Sequence, residues 1–145
     1  MPVNYTFDFL GAYLYSAQVH EYKYLASEAY SSTFARADVE RLGEVYKYTM
    51  KNFTNVIKLN DVSSIANMTP TSFCKYFKTK TGKTFSSFVN ELRIGQACKL
   101  LFDGNMSISE ICYECGFNNL TNFNKTFKHF TKLTPTAYRK DMSLK

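Results

Sequence analysis

The sequence lacks several features that would assign it to a familiar class of protein. None of its apolar runs approaches the roughly 20 residues that a membrane-spanning helix needs, and its N-terminus has neither the basic start nor the apolar centre of a signal peptide. It contains no recognisable Ser/His/Asp set, phosphate-binding loop or group of metal ligands, because its two histidines stand apart. We therefore expect a cytoplasmic protein that is not an enzyme and that binds no metal or cofactor.

Disulfide bonds are not expected either. The chain has four cysteines, and in a protein without an export signal these should remain thiols. Cys112 and Cys115 have the spacing of a redox pair, but such a pair begins a helix that follows a strand, whereas these two lie within a predicted helix beside Ile108 and Ile111. We predict that both cysteines pack in the core.

Acidic side chains are scarce in most of the chain. Residues 1–39 carry four acidic and two basic side chains, whereas residues 40–145 carry eight acidic and sixteen basic ones. A basic excess favours a polyanionic partner. No separate basic amphipathic segment suggests a membrane surface, so nucleic acid is the better candidate, although a plain solvated surface can carry the same excess.

The alternating apolar pattern of β-strands is absent from residues 40–145, and apolar residues recur at helical spacing instead. The sequence is therefore predicted to be all-α, with seven helices. Asp38 is the predicted N-cap of the first helix, Leu59, Val62 and Ala66 lie in a short second helix, and the third begins at Thr69 and Pro70 and ends at Gly82. The fourth helix is predicted over about residues 85–103, and a capping box of Ser107 and Glu110 begins the fifth. Asn118 or Asn119 caps the sixth helix, and Pro135 begins the seventh.

Two stretches of the chain repeat each other. Residues 73–88, FCKYFKTKTGKTFSSF, align with residues 123–138, FNKTFKHFTKLTPTAY, at an offset of 50. The short helices before them correspond at an offset of 49, so the turn before the sixth helix is longer by one residue. Each copy consists of a short helix, a tight turn and a basic amphipathic helix, which is the helix-turn-helix pattern. Two copies joined by one long helix are a far more specific signal than a single copy.

The second copy also resembles the signature region of a known family. Residues 108–140, ISEICYECGFNNLTNFNKTFKHFTKLTPTAYRK, are similar to the AraC/XylS transcription regulators in Gly116-Phe117, in Phe123-x-Lys125-x-Phe127-Lys128 and in Thr134-Pro135-x-x-Tyr138-Arg139. The similarity extends back to about residue 38. It implies a seven-helix DNA-binding domain that sets two recognition helices into successive major grooves, and it implies RNA polymerase as a further partner.

Two features depart from the family pattern. Lys132 replaces a glycine that usually ends the sixth helix and that the first copy has at Gly82, so either Lys132 adopts a costly left-handed conformation or the helix ends differently. The recognition helices also carry lysine where the family often has arginine. This favours point-charge contacts over bidentate reading of guanine.

Candidate DNA contacts follow from the helix faces and from the resemblance. The aromatic residues of the third and sixth helices recur at core-facing spacing, namely Phe73, Tyr76, Phe77, Phe123, Phe127 and Phe130. The resemblance assigns base edges to the first two turns of each recognition helix, which hold the outward residues Thr71, Ser72, Cys74 and Lys75, then Leu120, Thr121, Asn122, Asn124 and Lys125. Phosphate contacts are expected from Thr69, Lys78, Asn118 and Lys128.

Arg93 lies in the middle of the long linker helix, and two roles are open for it. It either contacts a DNA phosphate or ties the two helix-turn-helix units together. The sequence favours neither role over the other.

Residues 1–37 are predicted to form a separate helical arm or linker. Their apolar residues recur at near-heptad spacing, which would form a helix that needs a partner surface. We expect self-association through residues 7–25, in a chain that is either a short protein or the end of a longer one with an effector-binding domain. Residues 38–145 form the DNA-binding domain, with helix-turn-helix units at about 59–82 and 107–131 and the linker helix at about 85–103.

The predicted function is sequence-specific binding of double-stranded DNA by a transcription regulator, on a site that is asymmetric because the two recognition helices differ. The alternative is the DNA-binding module of a repair enzyme or other enzyme. A catalytic constellation would favour that alternative, and we find none in the sequence.

Overall fold

The computed structural model describes residues 33–143, with their side chains from residue 36 onward. This part of the chain forms seven α-helices and no strands, so the prediction of an all-α fold is confirmed. The helices are α1 (Thr33–Asn52), α2 (Leu59–Ile65), α3 (Pro70–Thr81), α4 (Phe85–Asp103), α5 (Ile108–Glu114), α6 (Leu120–Thr131) and α7 (Pro135–Ser143). The predicted arm, with its self-association, lies outside the described residues except for its last five positions, which belong to α1.

Two apolar cores lie along the long helix α4. The first core combines side chains of α1, α2 and α3 with the first half of α4, and the second combines α5, α6 and α7 with the second half. Phe77 packs edge-on against Phe85 in the first core, with ring centroids 5.3 Å apart, and Phe127 packs against Tyr138 in the second at 5.4 Å. The phenylalanines that recur in the sequence are therefore core residues, as their spacing predicts.

Most helix boundaries agree with the sequence signals. Thr69 accepts a hydrogen bond from the backbone N–H of Ser72 at 3.3 Å and caps α3, with Pro70 as its first residue. Ser107 and Glu110 form the predicted capping box at the start of α5. The linker helix α4 has the predicted bounds and a length of 19 residues.

The threonines shared by the two copies make equivalent hydrogen bonds. Thr81 and Thr131 each donate to the backbone carbonyl oxygen four residues earlier, at 2.7 and 2.8 Å. Thr84 and Thr134 each accept from the backbone N–H three residues later, at 3.1 Å, and so hold the starts of α4 and α7. The repeat in the sequence is thus a repeat of helix ends.

The turns inside the two helix-turn-helix units share one motif and differ by one residue. Asn67 and Gly116 both have positive φ, 57° and 101°, and the N–H of the next residue bonds to the carbonyl oxygen five residues earlier, at 2.9 and 3.1 Å. Asn119, not Asn118, then caps α6 by accepting the N–H of Asn122 at 2.7 Å. Asn118 is therefore the added residue of the second turn.

The predicted role of Asp38 as the first N-cap is wrong. Asp38 lies inside α1 and is buried. Its carboxylate accepts a hydrogen bond from the Tyr76 hydroxyl at 2.7 Å and pairs with the Lys80 ammonium at 2.9 Å. The side chain is thus drawn to α3, and it ties these two helices together instead of starting a helix.

Lys132 ends α6 in the left-handed conformation that Gly82 adopts at the end of α3, with φ of 68° and 78°. Each of these residues donates its N–H to the carbonyl oxygen four residues earlier, at 2.8 Å. Of the two endings open from the sequence, the strained one is therefore found. In this conformation the Cβ atom of Lys132 lies unfavourably close to the backbone, a strain that glycine avoids because it has no Cβ atom.

Replacing Lys132 by glycine should raise the free energy of unfolding by up to about 1 kcal/mol, since relief of left-handed strain is partly offset by the greater freedom of glycine in the unfolded chain. The lost bond from Lys132 Nζ to the His129 carbonyl oxygen is exposed and contributes little. Urea denaturation followed by circular dichroism measures the change. Gly82→Ala is the matched control: its Cβ would meet nothing within 4 Å, so it should lose about 1 kcal/mol through the backbone alone. A less stable Lys132→Gly chain would contradict the strain.

Candidate nucleic-acid interface

The helices α3 and α6 present matching polar faces. Their inner sides are fixed by buried phenylalanines, two on each helix, so the residues between these must point outward. The exposed residues include Thr71, Ser72, Cys74, Lys75 and Lys78 on α3, and Thr121, Asn122, Asn124, Lys125 and Lys128 on α6. The structure thus places all but one of the sequence-predicted base-reading residues on two exposed faces.

Leu120 is the exception. It is half-buried and packs against the second core, because it opens α6 next to the turn that closes that core. Its predicted outward position is corrected accordingly. Asn122 stays exposed, and its side-chain oxygen accepts a long hydrogen bond from the Thr126 hydroxyl at 3.5 Å.

The four lysines on these faces carry uncompensated charge. Among residues 33–143 the ion pairs join Asp38 to Arg41 and Lys80, and Glu91 to Lys83. Lys75, Lys78, Lys125 and Lys128 take no part in these pairs and are exposed. Unpaired exposed ammonium groups at equivalent positions in two copies of a motif are suited to bind a polyanion.

The N-termini of the two helices differ in what they offer an anion. Thr69 uses an oxygen lone pair to cap α3, and its exposed hydroxyl hydrogen is left to donate. At α6 the cap is Asn119, and Asn118 stands exposed one position further out. The expectation of a phosphate contact from Asn118 assumed a place at the helix end, and that place belongs to Asn119.

Arg93 is held by the protein itself. Its Nε donates to the Phe53 carbonyl oxygen at 2.6 Å, and its Nη2 donates to the Asn55 carbonyl oxygen at 3.0 Å. Burial lowers the pKa of the Arg93 guanidinium from its ordinary value, and the neighbouring Cys115 opposes the shift. Of the two roles open from the sequence, these contacts favour the tie between the halves over a phosphate contact.

The cysteines divide into one exposed and three buried thiols. Cys74 lies on the exposed face of α3, whereas Cys98, Cys112 and Cys115 are buried, as predicted for the last two. Burial raises the pKa of the Cys115 thiol to about 12, with Glu114 and Cys112 adding to the shift and Arg93 opposing it. A thiol of this pKa stays protonated at neutral pH, so Cys115 acts as a core residue.

The described part of the chain has neither a candidate metal-binding cluster nor a candidate membrane-spanning helix. Residues 33–143 contain no cluster of three or more His, Cys, Asp or Glu side chains that could hold a metal ion. No helix in this range combines the length and the apolar character that crossing a membrane requires.

The family model of a helix-turn-helix domain matches residues 62–141, which is more than half of the chain. This match covers the second helix-turn-helix unit, the helix α4 and all but the first three residues of the first unit. The chain belongs to the AraC-type helix-turn-helix family.

Relatives with curated names are regulatory proteins that are longer than this chain. The chain is 34% identical over 96 residues to an HTH-type transcriptional regulator from the cgkA 5′ region of Pseudoalteromonas carrageenovora, covering 66% of this chain and 57% of the relative. It is 30% identical over 103 residues to the regulatory protein PocR of Salmonella typhimurium, covering 71% of this chain and 34% of PocR. The chain thus spans about a third to somewhat over half of these relatives.

Solved AraC-type structures share the fold. The DNA-binding domain of AdpA, solved in complex with a target DNA, superposes with a TM-score of 0.67 at 23% identity, over 72% of this chain and 94% of that one. A transcriptional regulator from Chromobacterium violaceum with an AraC-type DNA-binding domain gives 0.65 at 24% identity, over 72% and 93%. The architecture of two units along one helix is therefore that of the family.

Proposed function

We propose that the chain binds double-stranded DNA sequence-specifically, as the DNA-binding part of a cytoplasmic AraC-type transcription regulator. The observation that carries the proposal is the duplicated exposed face: α3 and α6 each present threonine, small polar residues and two unpaired lysines from a helix anchored by buried phenylalanines. Its family membership and the regulator names of its relatives support the same function.

The two recognition helices would enter successive major grooves on one side of the duplex. The helix α4 that joins the units has 19 residues, which corresponds to about 28 Å at 1.5 Å per residue and approaches the roughly 34–36 Å between equivalent groove faces. The exposed residues of the two faces differ, with Cys74 on α3 where α6 has Asn124. One chain should therefore read an asymmetric site, with one half for each helix.

The division of labour follows from position along each helix. We assign base edges to the exposed residues of the first two turns, namely Thr71, Ser72, Cys74, Lys75, Thr121, Asn122, Asn124 and Lys125. Lys78 and Lys128 lie one turn further along and would contact phosphates together with the Thr69 hydroxyl. Lysine ammonium groups would act as point charges, so hydrogen-bond reading would rest more on Asn124 and the hydroxyl residues.

Two partners besides DNA belong to the proposal. RNA polymerase is the expected partner of a DNA-bound regulator of this family. Self-association through residues 7–25 would pair two such chains, and it rests on their near-heptad apolar spacing.

Selection of binding sites from random duplex DNA with the 145-residue chain tests the function. We expect an asymmetric consensus with two conserved segments about one helical turn apart, both read by the DNA-binding domain of the same chain, so that a self-associated pair would need two such sites. Sedimentation of the complex gives the number of chains on each site. A palindromic consensus bound by one chain, or equal binding of all sequences at physiological salt, would overturn the proposal.

A further inference from the structure

Arg93 stands at the boundary between the two cores. On α4 the last residue of the first core is Leu92 and the first residue of the second core is Ile94. Both neighbours are buried, and Arg93 is the residue between them. Its side chain leaves α4 where the apolar contacts of one helix-turn-helix unit end and those of the other begin.

The side chain of Arg93 contacts the loop that leads into the first unit and a turn inside the second. Its two hydrogen bonds reach the carbonyl oxygens of Phe53 and Asn55, in the loop that joins α1 to the first unit. Its guanidinium carbon also lies 5.8 Å from the ring centroid of Phe117, in the turn between α5 and α6 of the second unit. One side chain therefore bonds to the loop ahead of the first unit and packs on the turn that leads into the second recognition helix.

Gly116 brings the backbones of these two loops together directly. A Cβ atom at this position would lie 2.8 Å from the Thr54 carbonyl oxygen, 3.0 Å from the Thr54 carbonyl carbon and 3.1 Å from Arg93 Nε. The positive φ of Gly116, 101°, disfavours any other residue as well. Since the obstructing atoms are mostly backbone, they have little room to move aside.

A second connection between the units restricts their relative orientation more than α4 alone does. A single helix that joins two bodies can curve along its length, so it holds their relative orientation less firmly than two separate connections do. The contacts of Arg93 and Gly116 lie off the helix axis and connect loops that α4 does not contain. Two connections between the same two bodies fix their relative orientation.

We propose that Arg93 and Gly116 form a rigid joint that sets the spacing between the two halves of the DNA site. Arg93 is then a positioning residue, and its guanidinium group binds backbone carbonyl oxygens of the protein instead of a DNA phosphate. The inference rests on the proposed function for its DNA readout, but the rigidity of the joint is a property of the free protein.

The main test varies the spacing of the DNA site. The selected consensus is prepared with one base pair added or removed between its halves, and the affinity of each duplex is measured. For the wild-type chain we expect each change to weaken binding about tenfold or more, the scale of loss that a mismatched base pair causes. For Arg93→Met and Gly116→Ala we expect this spacing penalty to fall to about twofold or less while sequence preference within each half is kept.

Arg93→Lys separates the joint from a phosphate contact. Lysine keeps the positive charge but cannot donate the forked pair of hydrogen bonds. A joint predicts that Arg93→Lys loses the spacing penalty as Arg93→Met does, with the salt dependence of binding unchanged in both. A phosphate contact predicts that Arg93→Met lowers the salt slope by about one and that Arg93→Lys behaves as wild type, which would overturn the proposal. Lys99→Met, an exposed change on the same helix, should leave the spacing penalty intact.

A measurement without DNA keeps the joint testable if the function fails. Residual dipolar couplings of the free wild-type chain should fit one alignment tensor for both units, and those of Arg93→Lys should need two. Couplings that fit one tensor in every folded variant, together with an unchanged spacing penalty, would overturn the joint. A wild-type chain that fits one tensor but binds no duplex would reject the proposed function and leave the joint standing. If Arg93→Met does not fold, Arg93→Lys and Gly116→Ala decide the question.

Discussion

Replacing Phe127 by alanine should lower the free energy of unfolding by about 3–5 kcal/mol. Phe127 is fully buried in the second core, where its ring lies 5.8 Å from Phe123 and 5.4 Å from Tyr138, centroid to centroid. The loss has two parts: the free energy that the wild-type chain gains by burying the ring away from water, and the cost of the cavity left among these aromatic neighbours. Because small domains are stable by only about 5–15 kcal/mol, the change should remove a large share of the total.

Urea denaturation followed by circular dichroism measures this loss, and Phe102→Ala is its matched control. Phe102 is 65% exposed near the end of α4, so the same chemical change there should alter stability by no more than about 0.5 kcal/mol. Similar losses in the two variants would contradict the position of Phe127 in the core.

Replacing Lys75 and Lys125 by alanine, one at a time, should relax sequence preference in different halves of the DNA site. Each change should cost about 1–3 kcal/mol in binding if the ammonium group contacts a base. The reason is geometric, since Lys75 lies on α3 and Lys125 at the equivalent exposed position of α6. Site selection with each variant, followed by affinity measurements on the wild-type consensus, gives both the size and the location of the effect.

Two further lysine variants serve as controls for this experiment. Lys128→Ala should weaken binding to all sequences alike and lower the salt slope by about one, because the proposed phosphate contact of Lys128 would be lost. Lys47→Ala removes the same charge from the exposed side of α1, outside both recognition helices, and should leave both halves of the consensus unchanged. Loss of the same half in the Lys75 and Lys125 variants would contradict the reading of one half by each helix.

The helix ends could be predicted because the interactions that form them are local. Thr69, Ser107 and Gly82 each act on backbone groups within four residues of themselves. The residue types that cap a helix or accept positive φ are few, so the sequence carries the signal directly. The choice between Asn118 and Asn119 needed the structure, since both have the same side chain and only the backbone decides which one meets the first turn.

The contacts that connect distant parts of the chain could not be read from the sequence. Asp38 meets a hydroxyl 38 residues away, and Arg93 meets a carbonyl oxygen 40 residues away. Neither partner is marked by spacing, and a carbonyl oxygen has no signature in the sequence at all. The helical period places Leu120 outward. It carries no information about the turn before α6, which brings Leu120 against the second core.

The equivalent threonine bonds at the ends of the two copies also bear on how such a domain can evolve. The framework of each unit is held by buried phenylalanines and by threonine bonds to the backbone, whereas the proposed base-reading positions are exposed and take little part in either. Exposed substitutions of this kind usually change stability by less than about 0.5 kcal/mol. If each recognition helix reads one half of the site, as we propose, substitutions in one helix can change the sequence of its half-site while the other helix still binds the unchanged half.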